Sequence, residues 1–354
     1  MKYTCIDSFC GAGGLALGLA NAGFDLKFSF DNDPYCIQTI NNNEKYFDHP
    51  AQCIGIEEVL KMDILAMAGL KKGELFLLAG GPPCQGFSIQ RIGKDTDVRN
   101  NLVLAYGRLL AQLMPKYFLM ENVPGIAGKR GEKFLATIIS TAQKIGYFVH
   151  CKILDARDYN VPQRRKRMIL VGERLDIGKP NFKYPEPCIS KITVKDAIGF
   201  LPPPPDSGNV HPLYSMHRRD RLSEKNQARL KWLKPGEGRN SLPEHLLAQC
   251  HKVSSAKIGH PNVYGRMAWN DVAPTITARF DSFTRGLFGH PEQIRSISLR
   301  EGALLQTFPM DFEFIGTKVC IAKQIGNAVP VNLAYAIGRQ IIKNYLTKIG
   351  GSKE

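Results

Sequence analysis

A short apolar run, Tyr3 to Phe9, leads into Cys10-Gly11-Ala12-Gly13-Gly14-Leu15-Ala16 and then into a helix-period segment ending at Ala22. This turn restricts the fold more than any other stretch of the chain. Glycines between a strand and a helix let the backbone reverse sharply and let a ligand come close beside the helix N-terminus. Gly11 to Ala16 fits the pattern G-x-G-x-x-[GA], and Asp31 follows at the distance from which an acid holds ribose hydroxyls. By itself the turn fits NAD as well as any other nucleoside cofactor.

The rhythm continues beyond it. Phe24 to Phe30, Leu75 to Ala79 and Tyr117 to Met120 read as buried strands, and Leu102 to Met114 and Glu132 to Ile145 as helices. Alternating strands and helices imply an α/β fold with a doubly wound, mostly parallel sheet. After about Lys179 the texture changes: Pro180, Pro185, Pro187 and Pro202 to Pro205 break the pattern, which places a domain boundary there. From Tyr214 to Asn240 the chain carries eight Lys/Arg (Arg218, Arg219, Arg221, Lys225, Arg229, Lys231, Lys234, Arg239) against three acids. With a net charge of +15 over 354 residues, this stretch reads as a nucleic-acid face, since basic side chains that neutralise phosphates release counterions. The alternative is a solvated helix with charge on one side.

The nine cysteines include no C-x-x-C pair, so neither a metal site nor a disulfide framework is expected. The first residues hold no long apolar stretch and no run approaches a membrane span, so the expected location is the cytoplasm. One cysteine stands apart. Cys84 follows the strand Leu75 to Leu78 in Gly80-Gly81-Pro82-Pro83-Cys84-Gln85, where two prolines stiffen the loop and two glycines open it to close approach. That placement suits a nucleophile. Glu121-Asn122-Val123 ends the strand Tyr117 to Met120, and Pro124-Gly125 turns the chain away. In an open α/β sheet ligands bind beyond the carboxyl ends of the strands. The glycine turn, Asp31, Cys84 and Glu121 each belong to such an end. Gln163-Arg164-Arg165-Lys166-Arg167 precedes the strand Met168 to Val171, and strand alternation puts Arg165 and Arg167 on one face, both within reach of that crevice.

These blocks, in this order, resemble the DNA (cytosine-5) methyltransferases of bacterial type. The resemblance rests on F-C-G-A-G-G, P-P-C-Q, E-N-V, Q-R-R-K-R, R-E-G-A-L-L-Q-T-F-P from Arg300 and G-N-A-V-P from Gly326, and covers nearly the whole chain. Tyr264-Gly265-Arg266, Pro274 to Thr277 and Gly289 to Gln293 are also similar to bacterial members.

The resemblance implies a Rossmann-like catalytic and cofactor-binding domain from 1–180 plus 322–354, and a smaller target-recognition domain at 181–321. It implies S-adenosyl-L-methionine as cofactor, held by Phe9, Gly11, Ala12, Gly13, Gly14, Leu15, Asp31, Asn32, Asp63, Ile64, Gly81, Pro83, Leu102, Asn327 and Ala328. Asp63 is then an acceptor for the adenine amino group. Asn32 departs from the aromatic or aliphatic residue common at its place, which leaves Phe9 to supply most of the stacking. Cys84 is the implied nucleophile at carbon 6 of a flipped-out cytosine, Glu121 the partner of N3 and the exocyclic amine, and Arg165 the cation beside Cys84 and base O2, with Arg167 near. The implied partners are double-stranded DNA and a cognate restriction endonuclease, with the enzyme a monomer at the nucleoid. A transfer-RNA cytosine-5 methyltransferase and a catalytically silent DNA-binding regulator are the rival readings.

Overall fold

The computed structural model describes residues 3–83, 101–129, 131–249 and 263–350. The chain divides into two compact units. The first comprises Met1–Asp155, Lys166–Pro187 and Ala328–Glu354, and the second Ala156–Arg165 and Cys188–Asn327.

In the first unit β1 (Tyr3–Ser8), α1 (Gly14–Ala22), β2 (Phe24–Asp31) and α2 (Pro34–Asn42) follow the glycine turn. Then come β3 (Gln52–Cys53), α3 (Ile56–Val59), α4 (Ile64–Met67), β4 (Leu77–Gly80), α5 (Asn101–Leu113) and β5 (Tyr117–Asn122). The last of the series are α6 (Glu132–Lys144), β6 (Tyr147–Asp155) and β7 (Lys166–Arg174). Among the described residues the strands form one seven-stranded sheet in the order β3-β2-β1-β4-β5-β7-β6. All pairings are parallel except those of β7, which runs antiparallel to both β5 and β6. The expected doubly wound, mostly parallel sheet is therefore present, with an antiparallel end that the strand pattern did not disclose.

Both faces of the sheet are covered, which is why its central strands are continuous apolar runs. Ile6, Leu78, Phe118 and Met120 pack with Tyr106 and Leu109 of α5 and Ile138 and Ala142 of α6 in one buried cluster. On the other side, α1 lies against α11 (Val331–Gly350), whose Tyr345 ring stands 4.9 Å from that of Phe76. A Cβ on Gly18 of α1 would come within 2.4 Å of Ala334, so only glycine lets these two helices approach so closely.

The second unit holds little regular structure: α7 (Val194–Ile198), α8 (Glu224–Trp232), α9 (Leu299–Leu305) and α10 (Lys318–Asn327) are joined by long irregular segments. Buried arginines do much of the joining. Arg266 donates to the carbonyls of Leu230 and His290, and Arg300 to that of Phe312. Arg295 forms a two-pronged pair with Glu301, both hydrogen bonds at 2.7 Å. Two members of the basic stretch belong to this class. Arg229 and Arg239 are buried, and Arg229 donates to the Leu246 carbonyl while its guanidinium covers the Tyr264 ring. These two are structural, so the candidate nucleic-acid face is smaller than the charge count implied.

Glu173 on β7 ties α11 to the sheet. Its side chain is fully buried and receives His150 Nε2 at 2.8 Å, Lys348 Nζ at 2.7 Å and the Phe182 amide at 2.8 Å. Burial would raise its pKa, but the hydrogen bonds from His150 and Lys348 outweigh that and hold it at about 2. Such a carboxyl contributes stability that is complete above its ordinary 4.5 and lost as pH falls towards 2. Glu173→Gln is expected to cost about 3–5 kcal/mol, because it leaves the Lys348 charge buried without its counterion. Denaturant melts between pH 2 and 7 should show a shallower acid slope in the variant than in the native chain.

Candidate active site

The parallel register decides what meets at the sheet edge. Ser8 of β1 pairs with Phe30 of β2 and Gly80 of β4, and Gly80 with Met120 of β5. The residues immediately following, Phe9, Asp31, Gly81 and Glu121, therefore lie level with one another at the carboxyl edge of these strands.

The glycine turn has the conformation its sequence demands. Gly11 (φ 51°) and Gly13 (φ 85°) occupy the left-handed region, as does Phe9 (φ 56°), whose ring lies against Phe30. Asp31 binds the turn: its Oδ2 accepts from the Gly11 amide at 3.0 Å and its Oδ1 from Asp33 at 2.9 Å. Burial raises the Asp31 pKa, and those two amide bonds oppose the rise. Each oxygen retains a lone pair for a hydroxyl.

Beneath the turn Asp7 is fully buried, and neither carboxyl oxygen has a hydrogen-bond partner among the described residues. Burial first, then the neighbouring Asp31, pushes its pKa up to about 8, against a small opposing effect of the Ala16 amide. Asp7 was not anticipated; a strand-end acid one turn before glycines was the available signal. Nothing lies within 4 Å of where a Cβ on Gly11 would stand. An open backbone cradle, an acid ready for hydroxyls and an unmet buried carboxyl together fit a ligand that carries a ribose and further hydrogen-bonding groups, as S-adenosyl-L-methionine does.

The remaining candidates for the cofactor are more scattered. Ala12, Gly14 and Leu15 are buried in the turn and the start of α1, and Asn32 is exposed beside Asp31. Asp63 caps α4, its Oδ1 accepting the Ala66 amide at 3.1 Å, and Ile64 behind it is fully buried. Leu102 packs on the α5 side of the core. Asn327 is the exposed last residue of α10 in the second unit, and Ala328 opens the final segment of the first.

Glu121 meets a cation by strand geometry. It stands opposite Ile169 in the β5–β7 ladder, so Arg167, two residues away on β7, is its diagonal neighbour on the same face. Arg167 Nε lies 2.7 Å from Glu121 Oε1, with side chains only 13% and 12% exposed. The loop after β4 is tied to the same place: Asn122 Nδ2 donates to the Pro82 carbonyl at 2.9 Å, and a Cβ on Gly81 would sit 3.4 Å from Glu121 Oε2. Pro83 ends this described stretch, and Cys84 lies outside the described residues.

Arg165 is placed differently from Arg167. It precedes β7 and belongs to the second unit, where it is fully buried and donates to the carbonyls of Ile276 (2.9 Å) and Gly326 (3.0 Å). Gln163 is buried there as well, giving its amide to Gln306 Oε1 at 2.8 Å and accepting from the Ile276 amide at 2.8 Å. Alternation placed both arginines on one face; the start of β7 separates their surroundings.

Residues 3–343 match the C-5 cytosine-specific DNA methylase family. The chain belongs to that family. It is 37% identical to the Type II methylase M.HgiDII of Herpetosiphon aurantiacus over 96% of this chain and 95% of the relative. It is 34% identical to the Type II methyltransferase M1.HphI of Haemophilus parahaemolyticus over 97% of this chain and 87% of that one. Among solved structures it is similar to a protein described as a DNA modification methyltransferase encoded within an E. coli prophage (TM-score 0.73, 25% identity, 97% and 99% of the two chains). The fold is shared also with the S. pombe Dnmt2 methyltransferase (TM-score 0.59, 20% identity, 97% and 99%). The protein is thus a DNA cytosine-5 methyltransferase that uses S-adenosyl-L-methionine. Among the described residues no helix is long and apolar enough to cross a membrane.

Gly13→Ala tests the cradle. The new Cβ would require a left-handed backbone and stand 2.8 Å from Phe47, so a loss of about 1–3 kcal/mol is expected from the backbone strain. Calorimetric titration with S-adenosyl-L-methionine should show weaker binding than in the native protein, and thermal unfolding should report the loss of stability.

Proposed function

We propose that the enzyme methylates carbon 5 of a cytosine swung out of a specific duplex sequence, through a covalent bond from Cys84. The observation that supports this best is the Glu121–Arg167 pair at the sheet edge, beside the Gly81–Pro83 loop that leads to Cys84.

Carbon 5 of cytosine becomes nucleophilic once a group adds at carbon 6. The Cys84 thiolate forms the S–C6 bond, and the electron pair of the 5,6 double bond moves towards carbon 5 and N3. Glu121 serves N3 and the exocyclic amine as that charge develops, and Arg167 fixes the Glu121 carboxyl in place. S-adenosyl-L-methionine, when bound, supplies an electrophilic methyl group. Water at the site then takes the carbon-5 proton, and the electron pair of that C–H bond restores the 5,6 double bond and expels the Cys84 thiolate. The contact to base O2 first assigned to Arg165 suits Arg167 better, since the Arg165 fork is engaged by the Ile276 and Gly326 carbonyls. Arg165 is a positioning residue of the second unit.

The cofactor is held by the turn Phe9 to Leu15, by Asp31 and Asn32 at the ribose end, by Asp63 and Ile64, and by Gly81, Pro83, Leu102, Asn327 and Ala328. The second unit, with the target-recognition stretch within 181–321, grips phosphates and compensates the few kcal/mol of flipping. The names of the Type II relatives support a modification role, which pairs with a cognate restriction endonuclease. In this reading the enzyme acts as a monomer at the nucleoid.

Cys84→Ser should lose turnover and covalent capture of duplexes carrying 5-fluorocytosine while still retarding them in native gels. Normal turnover by that variant contradicts the nucleophile. In single-turnover assays Glu121→Gln should slow methyl transfer by about 10²–10⁴-fold with little change in DNA affinity; equal losses in both would make Glu121 a binding group.

A further inference from the structure

We propose that Arg279 of the second unit reads a guanine of the target sequence through the two terminal nitrogens of its guanidinium. The proposal rests on the reading of this enzyme as sequence-specific towards DNA.

The Asp281 side chain is only 3% exposed and is held from two directions. Its Oδ1 takes Arg279 Nε at 3.1 Å, and its Oδ2 lies 3.4 Å from Lys318 Nζ, which in turn lies 2.7 Å from Asp220. Arg279 itself is 46% exposed, and among the described residues its Nη1 and Nη2 have no protein partner. An arginine clamped at Nε presents the other two nitrogens as a fixed fork, so little rotamer freedom is lost when a planar acceptor pair docks. Arg279 lines a polar cavity of about 230 Å³ together with Arg221, Asn226 and Thr284. The O6 and N7 atoms of guanine in the major groove match such a fork.

A phosphate also offers paired oxygens. The cavity disfavours it: Asp220 and Asp281 in the same wall offset two of its three cations (Arg221, Arg279 and Lys318), so a phosphodiester gains little net attraction, whereas a guanine edge is uncharged and needs none. The basic side chains nearby are partly neutralised by these acids, which suits discrimination more than adhesion.

The test uses the purified full-length enzyme, S-adenosyl-L-methionine and a randomised duplex library read for 5-methylcytosine by sequencing. Native enzyme should mark one motif that contains a guanine, and Arg279→Ala should lose discrimination at that single position by about 5- to 150-fold. Replacing that guanine by 7-deazaguanine, which lacks N7, should slow the native enzyme, a readout that needs no variant to fold, and should leave Arg279→Ala unaffected. A uniform loss across all sequences, with the salt dependence of binding shallower by about one unit, would identify a phosphate contact and overturn the proposal. An unchanged motif, or one without guanine, overturns it too. Native enzyme that marks no duplex at all would instead remove the sequence-specific reading, and this proposal with it.

Discussion

Parallel pairing of β1, β2, β4 and β5 is the constraint on which the first unit depends. Because Ser8 is level with Phe30 and Gly80, and Gly80 with Met120, four chain reversals occur on one side of the sheet. A slip of one residue in β2 or β5 would turn Asp31 or Glu121 to the opposite face. The buried apolar cluster under α5 and α6, and the close seam of α1 on α11, hold the register that brings these groups together. The antiparallel β7 then adds Arg167 diagonally to Glu121, so the ion pair at the edge is a product of ladder geometry.

The sequence made the centre of this sheet legible because its strands are covered on both faces and read as unbroken apolar runs. Its edges were another matter. β6 buries fully only Tyr147 and Leu154, and β3 is two exposed residues, so neither shows the pattern of a buried strand. The glycine turn was readable because left-handed backbone at Gly11 and Gly13 admits few other residues. Which arginine accompanies Glu121 was not, because alternation treats Arg165 and Arg167 alike and only the three-dimensional start of β7 distinguishes them. Asp7 escaped notice for a related reason: what surrounds it is distant in sequence, with β2 and β4 on either side and the Ala16 amide of α1 facing its carboxyl.

The second unit works by a different economy of interactions. With no strand among its described residues, its irregular segments leave many backbone carbonyls to satisfy, and buried guanidinium groups with several donors each do this well. Arg165, Arg266 and Arg300 each connect segments distant in sequence, while Arg295 holds Glu301 within one local segment. Basic composition therefore carries two meanings in this chain, internal scaffolding and attraction to a polyanion, and charge counts alone do not separate them. The exposed cations, Arg279 among them, are the ones left for DNA.

The most direct test of the central claim is to express the protein in a host that lacks cytosine methylation and map 5-methylcytosine across the genome at base resolution. The account predicts one short motif methylated throughout, and none with Cys84→Ala. An unmethylated genome in cells that contain the soluble protein, or the same marks with Cys84→Ala, would contradict it.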